Sequence, residues 1–72
     1  MTEATHGRRL AGTVGEFDED RGLGVIETAD GVSYPFHCIE IADGTRRIAV
    51  GAEVTFVRLA KLGRYEAAEI TS

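Results

Sequence analysis

Short turn sequences divide the chain at intervals that leave little room for helices. Asp-Glu-Asp-Arg-Gly, Ala-Asp-Gly and Lys-Leu-Gly-Arg stand at residues 18–22, 29–31 and 61–64, and a longer connection runs through residues 42–51. Glycine supplies the left-handed conformations that tight turns need, and Asp-Gly is typical of a β-hairpin. Because no helical period runs through the stretches between these turns, the sequence predicts β-strands.

Five segments between the turns have the length and composition of strands: residues 10–17, 23–28, 32–41, 52–60 and 65–70. Pro35 removes a backbone donor from the third segment, which places that strand at a sheet edge or at an irregularity. Five short strands at this spacing predict an all-β fold, either a small barrel or a sandwich. A closed barrel would remove the exposed edges that a chain of 72 residues tolerates poorly.

Alternation of side chains along a strand separates a core from an outer face. The predicted core contains Val14, Ile26, Phe36, Val54, Phe56 and Ile70. Leu23, Val25, Pro35 and His37 then point outward together. The two glycines of Arg-Gly-Leu-Gly-Val-Ile bring no side chain to a core, so we expect them to let a ligand or another backbone lie close to the sheet.

Charge and cysteine content narrow the class of protein. The net charge of −4 argues against simple polyanion binding, but residues 41–72 carry five basic residues against four acidic ones. Cys38 is the single cysteine, which excludes an internal disulfide and fits a reducing compartment. The chain has no apolar export segment and no run near the roughly 20 apolar residues of a membrane span, so the expected localisation is cytoplasmic.

Four motifs follow one another in an order that resembles the bacterial cold-shock proteins and the cold-shock domain: GTVGEFDEDRGLGVIE, YPFHCIEI, VGAEVTF and AAEIT. The resemblance covers residues 10–72. It implies a five-stranded antiparallel OB-type barrel that binds single-stranded RNA or DNA on one sheet face. We therefore expect a flexible N-terminal tail at residues 1–8 and a cold-shock-like OB-fold domain at residues 9–72.

The two nucleic-acid motifs of this family read K-G-F-G-F-[IV] and V-F-V-H-F, and RGLGVI and YPFHC stand in their places. Leu23 and Val25 replace the two aromatic residues of the first motif. Pro35 and Cys38 replace the outer aromatic residues of the second. Since bases stack on aromatic rings with about 1–3 kcal/mol per base, these replacements predict weakened binding.

Three residues keep the binding chemistry of the family at matched positions: Phe17, Arg21 and His37. Arg21 and His37 can pair with a phosphate or a base edge, and His37 can also stack on a base. The alternative is an ordinary surface charge and a half-buried imidazole. Glu16 sets a carboxylate where the family stacks a tryptophan, which opposes nucleic-acid binding.

The basic residues of the second half are expected on loops that rim the sheet, where they could follow a phosphate backbone. Tyr65 could replace one lost stacking ring or simply cover the end of the barrel. The complete candidate nucleic-acid-binding set is Phe17, Arg21, Leu23, Val25, Pro35, His37, Cys38, Arg46, Arg58, Lys61, Arg64 and Tyr65. For each basic residue, a solvated loop charge is the alternative interpretation.

Catalysis, metal binding and cofactors are not expected. Cys38 adjoins His37, but neighbours on a regular strand point to opposite faces, which keeps a nucleophile and a base apart. His6, His37 and Cys38 are one ligand short of a structural zinc site. RGLGVI enters a strand and not a helix, so it is not a phosphate-binding loop.

The function expected from these features is weak binding of single-stranded RNA or DNA with low sequence specificity, in the regulation of transcription or translation. A protein-interaction module that reuses the same face, including a homodimer, is the rival interpretation. It rests on the apolar area that Phe17, Leu23, Val25, Pro35 and Cys38 would form, because monomeric proteins rarely leave such patches open.

Overall fold

Five strands form one antiparallel sheet in the computed structural model, which describes residues 9–44 and 47–72 without the Lys61 side chain. The strands are β1 (Leu10–Asp18), β2 (Leu23–Glu27), β3 (Ser33–His37), β4 (Glu53–Lys61) and β5 (Arg64–Thr71). A 3-10 helix, Cys38–Glu40, follows β3. The all-β, five-stranded antiparallel fold is confirmed. The predicted tail at residues 1–8, with His6, and the predicted contact of Arg46 lie outside the described residues.

The third strand is shorter than expected. It ends at His37, and the residues that were predicted to extend it to Ile41 turn into the 3-10 helix. His37 caps the first turn of this helix, because its Nδ1 accepts a hydrogen bond from the Ile39 N–H at 3.2 Å. Cys38 therefore opens a helical turn and is not the strand neighbour that the sequence predicted.

The strand order β3-β2-β1-β4-β5 places β3 and β5 at the two ends of the sheet. Pro35 lies in β3, so its prediction at a sheet edge is confirmed. The sheet curls until these two strands contact each other. The Ala42 N–H donates to the Ile70 carbonyl at 2.8 Å just beyond the 3-10 helix, which supports the barrel shape of an OB-type fold.

The core fills the inside of this curved sheet. All six predicted core residues are buried: Val14, Ile26, Phe36, Val54, Phe56 and Ile70. Tyr34, Ile41 and Ala67 complete the cluster. The ring of Tyr34 packs on that of Phe56 with centroids 5.3 Å apart. Burial of these side chains supplies most of the stability that so small a domain can reach.

The glycines of RGLGVI are explained by packing inside the molecule. A Cβ at Gly24 would lie 2.5 Å from Cζ of Phe36 and 2.7 Å from the Glu16 carbonyl oxygen. Gly22 has φ +68°, and a Cβ there would lie 2.8 Å from Sγ of Cys38. The space beside these glycines is filled by the protein's own atoms, and at Gly24 these include the backbone of Glu16, so the expected close approach of another backbone is confirmed there.

The predicted hairpin turn at residues 29–31 is organised by Asp30. Thr28 donates its hydroxyl hydrogen to the Asp30 carboxylate, and the Val32 N–H donates to the same oxygen at 3.4 Å. Both hydrogen bonds lower the pKa of Asp30 below its usual range, and the bond from Thr28 has the larger effect. The turn connects β2 to β3 and so fixes the two strands that carry the candidate motifs.

Within the residues that the structure describes, no helix has the length and apolar character required to cross a membrane.

Candidate nucleic-acid interface

Strand pairing brings the two candidate motifs side by side. Two cross-strand rows form the outer face of β1, β2 and β3: Glu16–Val25–Pro35 and Asp18–Leu23–His37. Leu23 is 46% exposed, Val25 and Pro35 are half-buried, and His37 is exposed. The structure thus brings Leu23, Val25, Pro35 and His37 together on one surface, as alternation along the strands predicted.

A bulge in β1 decides which residues of that strand reach the outer face. Val14 pairs with Ile26, but the next paired residues are Glu16 and Val25, so β1 contains one extra residue at this point. Regular alternation from the buried Val14 would have turned Glu16 inward. The bulge instead turns the Glu16 carboxylate outward into the middle of the candidate interface.

The same bulge places Phe17 on the inner side of the sheet. Phe17 pairs with Gly24, which in turn pairs with Phe36, and residues directly opposite in neighbouring strands share a face. With no side chain at Gly24, the Phe17 and Phe36 rings stack across it at 5.9 Å and 3°. Phe17 is half-buried against the core and only borders the outer face.

Cys38 is also separated from the outer face. It is half-buried, packs against the core and lies next to Gly22. The apolar area of the outer face therefore consists of Leu23, Val25 and Pro35, and is smaller than the sequence predicted.

An open groove runs along the outer face and continues past it. Eight residues beyond the two rows complete its lining: Phe17, Arg21, Gly24, Phe36, Ile39, Glu40, Arg64 and Glu66. Ile39 is 64% exposed and was missed by the sequence reasoning, which placed it in a strand. Arg64 and Glu66 of β5 form part of the lining of this groove.

Carboxylates accompany the basic residues around this groove. Arg21 lies 3.8 Å from Asp18 (Nε to Oδ2), and Arg64 lies 3.3 Å from Glu66 (Nη2 to Oε2). Both guanidinium groups are exposed, although Glu66 is half-buried. Surface ion pairs contribute only about 0–1 kcal/mol, so a phosphate can compete for either guanidinium. Glu16 has no cation partner among the described residues. In the sequence, Arg21 stands three residues after Asp18, and Glu66 stands two residues after Arg64. This short spacing is the sequence feature from which both pairs can be predicted.

His37 presents a fixed donor to the groove. Because Nδ1 accepts the Ile39 N–H, the neutral ring carries its proton on Nε2. The hydrogen bond also limits rotation of the ring, whose exposed face remains available for contact with a base or sugar.

The remaining candidates lie on the hairpin that β4 and β5 form. Arg58 places its Cζ 4.3 Å from the centroid of the Tyr65 ring. Tyr65 pairs with Ala60, so Arg58, Ala60 and Tyr65 share one face of the hairpin, while Arg64 points to the other. The candidate residues are therefore divided between two surfaces. The contribution of the Lys61 side chain lies outside the described part of the chain.

In residues 9–44 and 47–72, no three His, Cys, Asp or Glu side chains are grouped so that they could hold a metal ion.

Residues 10–72 match the family model of the "Cold-shock" DNA-binding domain. The matched range contains all five strands and both motifs of the outer face. No curated protein matches the chain significantly in sequence.

Proposed function

The chain belongs to the cold-shock domain family, a family of proteins that bind single-stranded nucleic acids, and on that premise we propose that it binds single-stranded RNA or DNA along the outer face. The binding unit is the domain of residues 9–72. Binding is weak, has little sequence preference and serves the regulation of transcription or translation.

The observation that carries this proposal is the register between β2 and β3. Leu23 pairs with His37 and Val25 pairs with Pro35, so both motif positions of the family meet on one open surface. Arg21 and Arg64 stand at the border of the same groove and supply positive charge. An extended strand laid in this groove can contact apolar side chains with its bases and guanidinium groups with its phosphates.

Weak binding follows from the side chains that this face carries. Its two rows contain no Phe, Tyr or Trp, so the stacking energy of about 1–3 kcal/mol per base is largely missing. Glu16 and Asp18 repel phosphate. Affinity must then come from arginine–phosphate contacts, which are strongly salt-dependent.

Low sequence preference has a related cause. Leu23, Val25 and Pro35 can contact a base without reading its hydrogen-bonding edge. His37 Nε2 is the fixed donor on this face, and one donor distinguishes few bases.

The location of binding can be tested by titrating ¹⁵N-labelled protein with oligo-dT and oligo-U at low salt. The largest changes in backbone amide shift are expected at residues 21–25 and at Phe36 and His37, on either side of Val25 and Pro35 in the pairing of β2 with β3. Ala11 and Glu53, which lie away from the groove, serve as internal references. Changes centred on those reference residues would contradict the proposed site.

A protein-interaction module is the second candidate, and the exposure of Leu23 and Ile39 favours it. Replacing Leu23 and Val25 by Ser tests which function the face serves. Binding through charge should survive this change and be weakened in Arg21→Ala, whereas a protein contact depends on its apolar anchors. Sedimentation of both variants, with and without oligonucleotide, measures self-association and binding together.

A further inference from the structure

Arg58 differs from the other arginines that the structure describes. Arg9, Arg21, Arg47 and Arg64 each have a carboxylate within ion-pair distance. The Arg58 guanidinium instead lies over the Tyr65 ring, and no described carboxylate is close enough to pair with it. Among the residues that the structure describes, no neighbouring carboxylate therefore compensates its positive charge.

Tyr65 is a large aromatic residue that lies outside the core cluster and is exposed to solvent. It is 48% exposed, and it projects from the part of the β4–β5 hairpin that extends beyond the core. Residues 58–65 contain no buried residue among those with described side chains. Arg58 holds the ring within the distance of a cation–π contact, so the ring loses little freedom when a ligand stacks on it.

We propose that Arg58 and Tyr65 form a second contact site for single-stranded nucleic acid, at which a base stacks on Tyr65 and Arg58 faces a phosphate. This inference rests on the proposed function. It places the stacking of a base on the β4–β5 hairpin and not on the outer face. Charge complementarity selects the partner, because an uncompensated guanidinium beside an exposed ring suits a polyanion with aromatic bases.

The two sites are connected by consecutive residues of β5. Arg64 borders the groove, and Tyr65 follows it directly in β5 on the opposite face of the hairpin. A strand that leaves the groove at Arg64 needs to cross only the edge of the hairpin to reach the Tyr65 ring. The lost rings of the outer face are thus replaced in part by one ring on a different element.

The test compares oligo-dT binding in wild type, Tyr65→Ala, Tyr65→Phe and Arg58→Ala, with Leu59→Ser as the matched control. Leu59 is exposed on the opposite face of the same hairpin. Tyr65→Ala is expected to weaken binding by about 5- to 100-fold and Arg58→Ala to weaken it as well, while Tyr65→Phe and Leu59→Ser stay near wild type. The Tyr65 ring signals should shift on titration in labelled wild-type protein.

Amide shifts at residues 21–25 in the same titration separate the outcomes. If those residues shift but the Tyr65 ring does not, and Tyr65→Ala binds normally, the second site is wrong and the proposed function stands. If no oligonucleotide binds at low salt, both are wrong. If Tyr65→Ala abolishes self-association of the free protein and leaves oligo-dT binding unchanged, the hairpin joins two copies of the chain and the inference is overturned.

Discussion

Glu16 limits what the outer face can bind. The β1 bulge turns its carboxylate to the outer face, in the same row as Val25 and Pro35, and no described cation pairs with it. Two like charges about 4 Å apart in water repel by about 1 kcal/mol, and salt reduces that value. One side chain can therefore change the affinity of this face several-fold.

Replacing Glu16 by Gln should raise the affinity for oligo-dT about two- to five-fold at low salt, because the repulsion disappears while the shape is kept. Fluorescence anisotropy with a labelled oligonucleotide measures the change. The gain should shrink as salt is added, and Glu53→Gln, away from the groove, should show little of it. An unchanged or lower affinity of Glu16→Gln at low salt would mean that this carboxylate does not face the bound strand.

A second residue-scale prediction concerns the missing rings. Leu23→Phe combined with Val25→Phe should tighten oligo-dT binding by up to a few kcal/mol, because both positions lie on the outer face where bases can stack. Binding should also become less sensitive to salt. If the double variant folds but binds no better than wild type, the strand does not lie across Leu23 and Val25.

Two strands, β1 and β5, each contain a β-bulge. β1 has its bulge beside Gly15, and β5 has a second where Glu69 and Ile70 lie opposite Phe56. Glu69 adopts φ +51°, and its N–H donates to the Glu40 carboxylate at 3.3 Å. Bulges of this kind increase local twist and help a short sheet to curl. The β5 bulge thus supports the contact between β5 and the 3-10 helix that closes the fold.

The turn of the β4–β5 hairpin holds a residue other than glycine, Leu62, at a positive φ angle. Leu62 and Gly63 link Lys61 to Arg64 with φ of 48° and 84°, a pattern that favours Asn-Gly. The Leu62 side chain is fully exposed, so its replacement removes no packing. Leu62→Asn should therefore stabilise the domain by about 1 kcal/mol in urea unfolding, whereas Leu62→Val should destabilise it. A loss of stability in Leu62→Asn would show that the turn is not strained.

Local patterns sufficed for the parts of the fold that depend on neighbours in sequence. Alternation along the strands identified six residues of the buried core, of which Val14 is the first and Ile70 the last. Pro35 indicated an edge strand. Contacts between distant residues were not predictable in this way. Gly24 is required because Phe36, twelve residues later, crosses it, and the side of the sheet that Phe17 occupies depends on one extra residue in β1.

At the scale of the molecule, stability depends on a thin core. Phe36 is 2% exposed and packs over Gly24 onto Phe17. Phe36→Ala should cost about 3–5 kcal/mol, which is enough to unfold most of a domain of this size. Thermal unfolding followed by circular dichroism measures it, with Leu23→Ala on the outer face as the control. A Phe36→Ala protein with a near-native Tm would show that the inner and outer faces have been interchanged.

The central claim is that this domain binds single strands mainly through charge, with most of its stacking rings gone. The direct measurement is the affinity of wild-type protein for oligo-dT as a function of salt. Each phosphate contact contributes about −0.7 to the slope of log K against log[salt], so contacts from Arg21, Arg58 and Arg64 predict a slope of about −2, and Arg21→Ala should reduce it by about 0.7. Tight binding with a slope near zero would contradict the account.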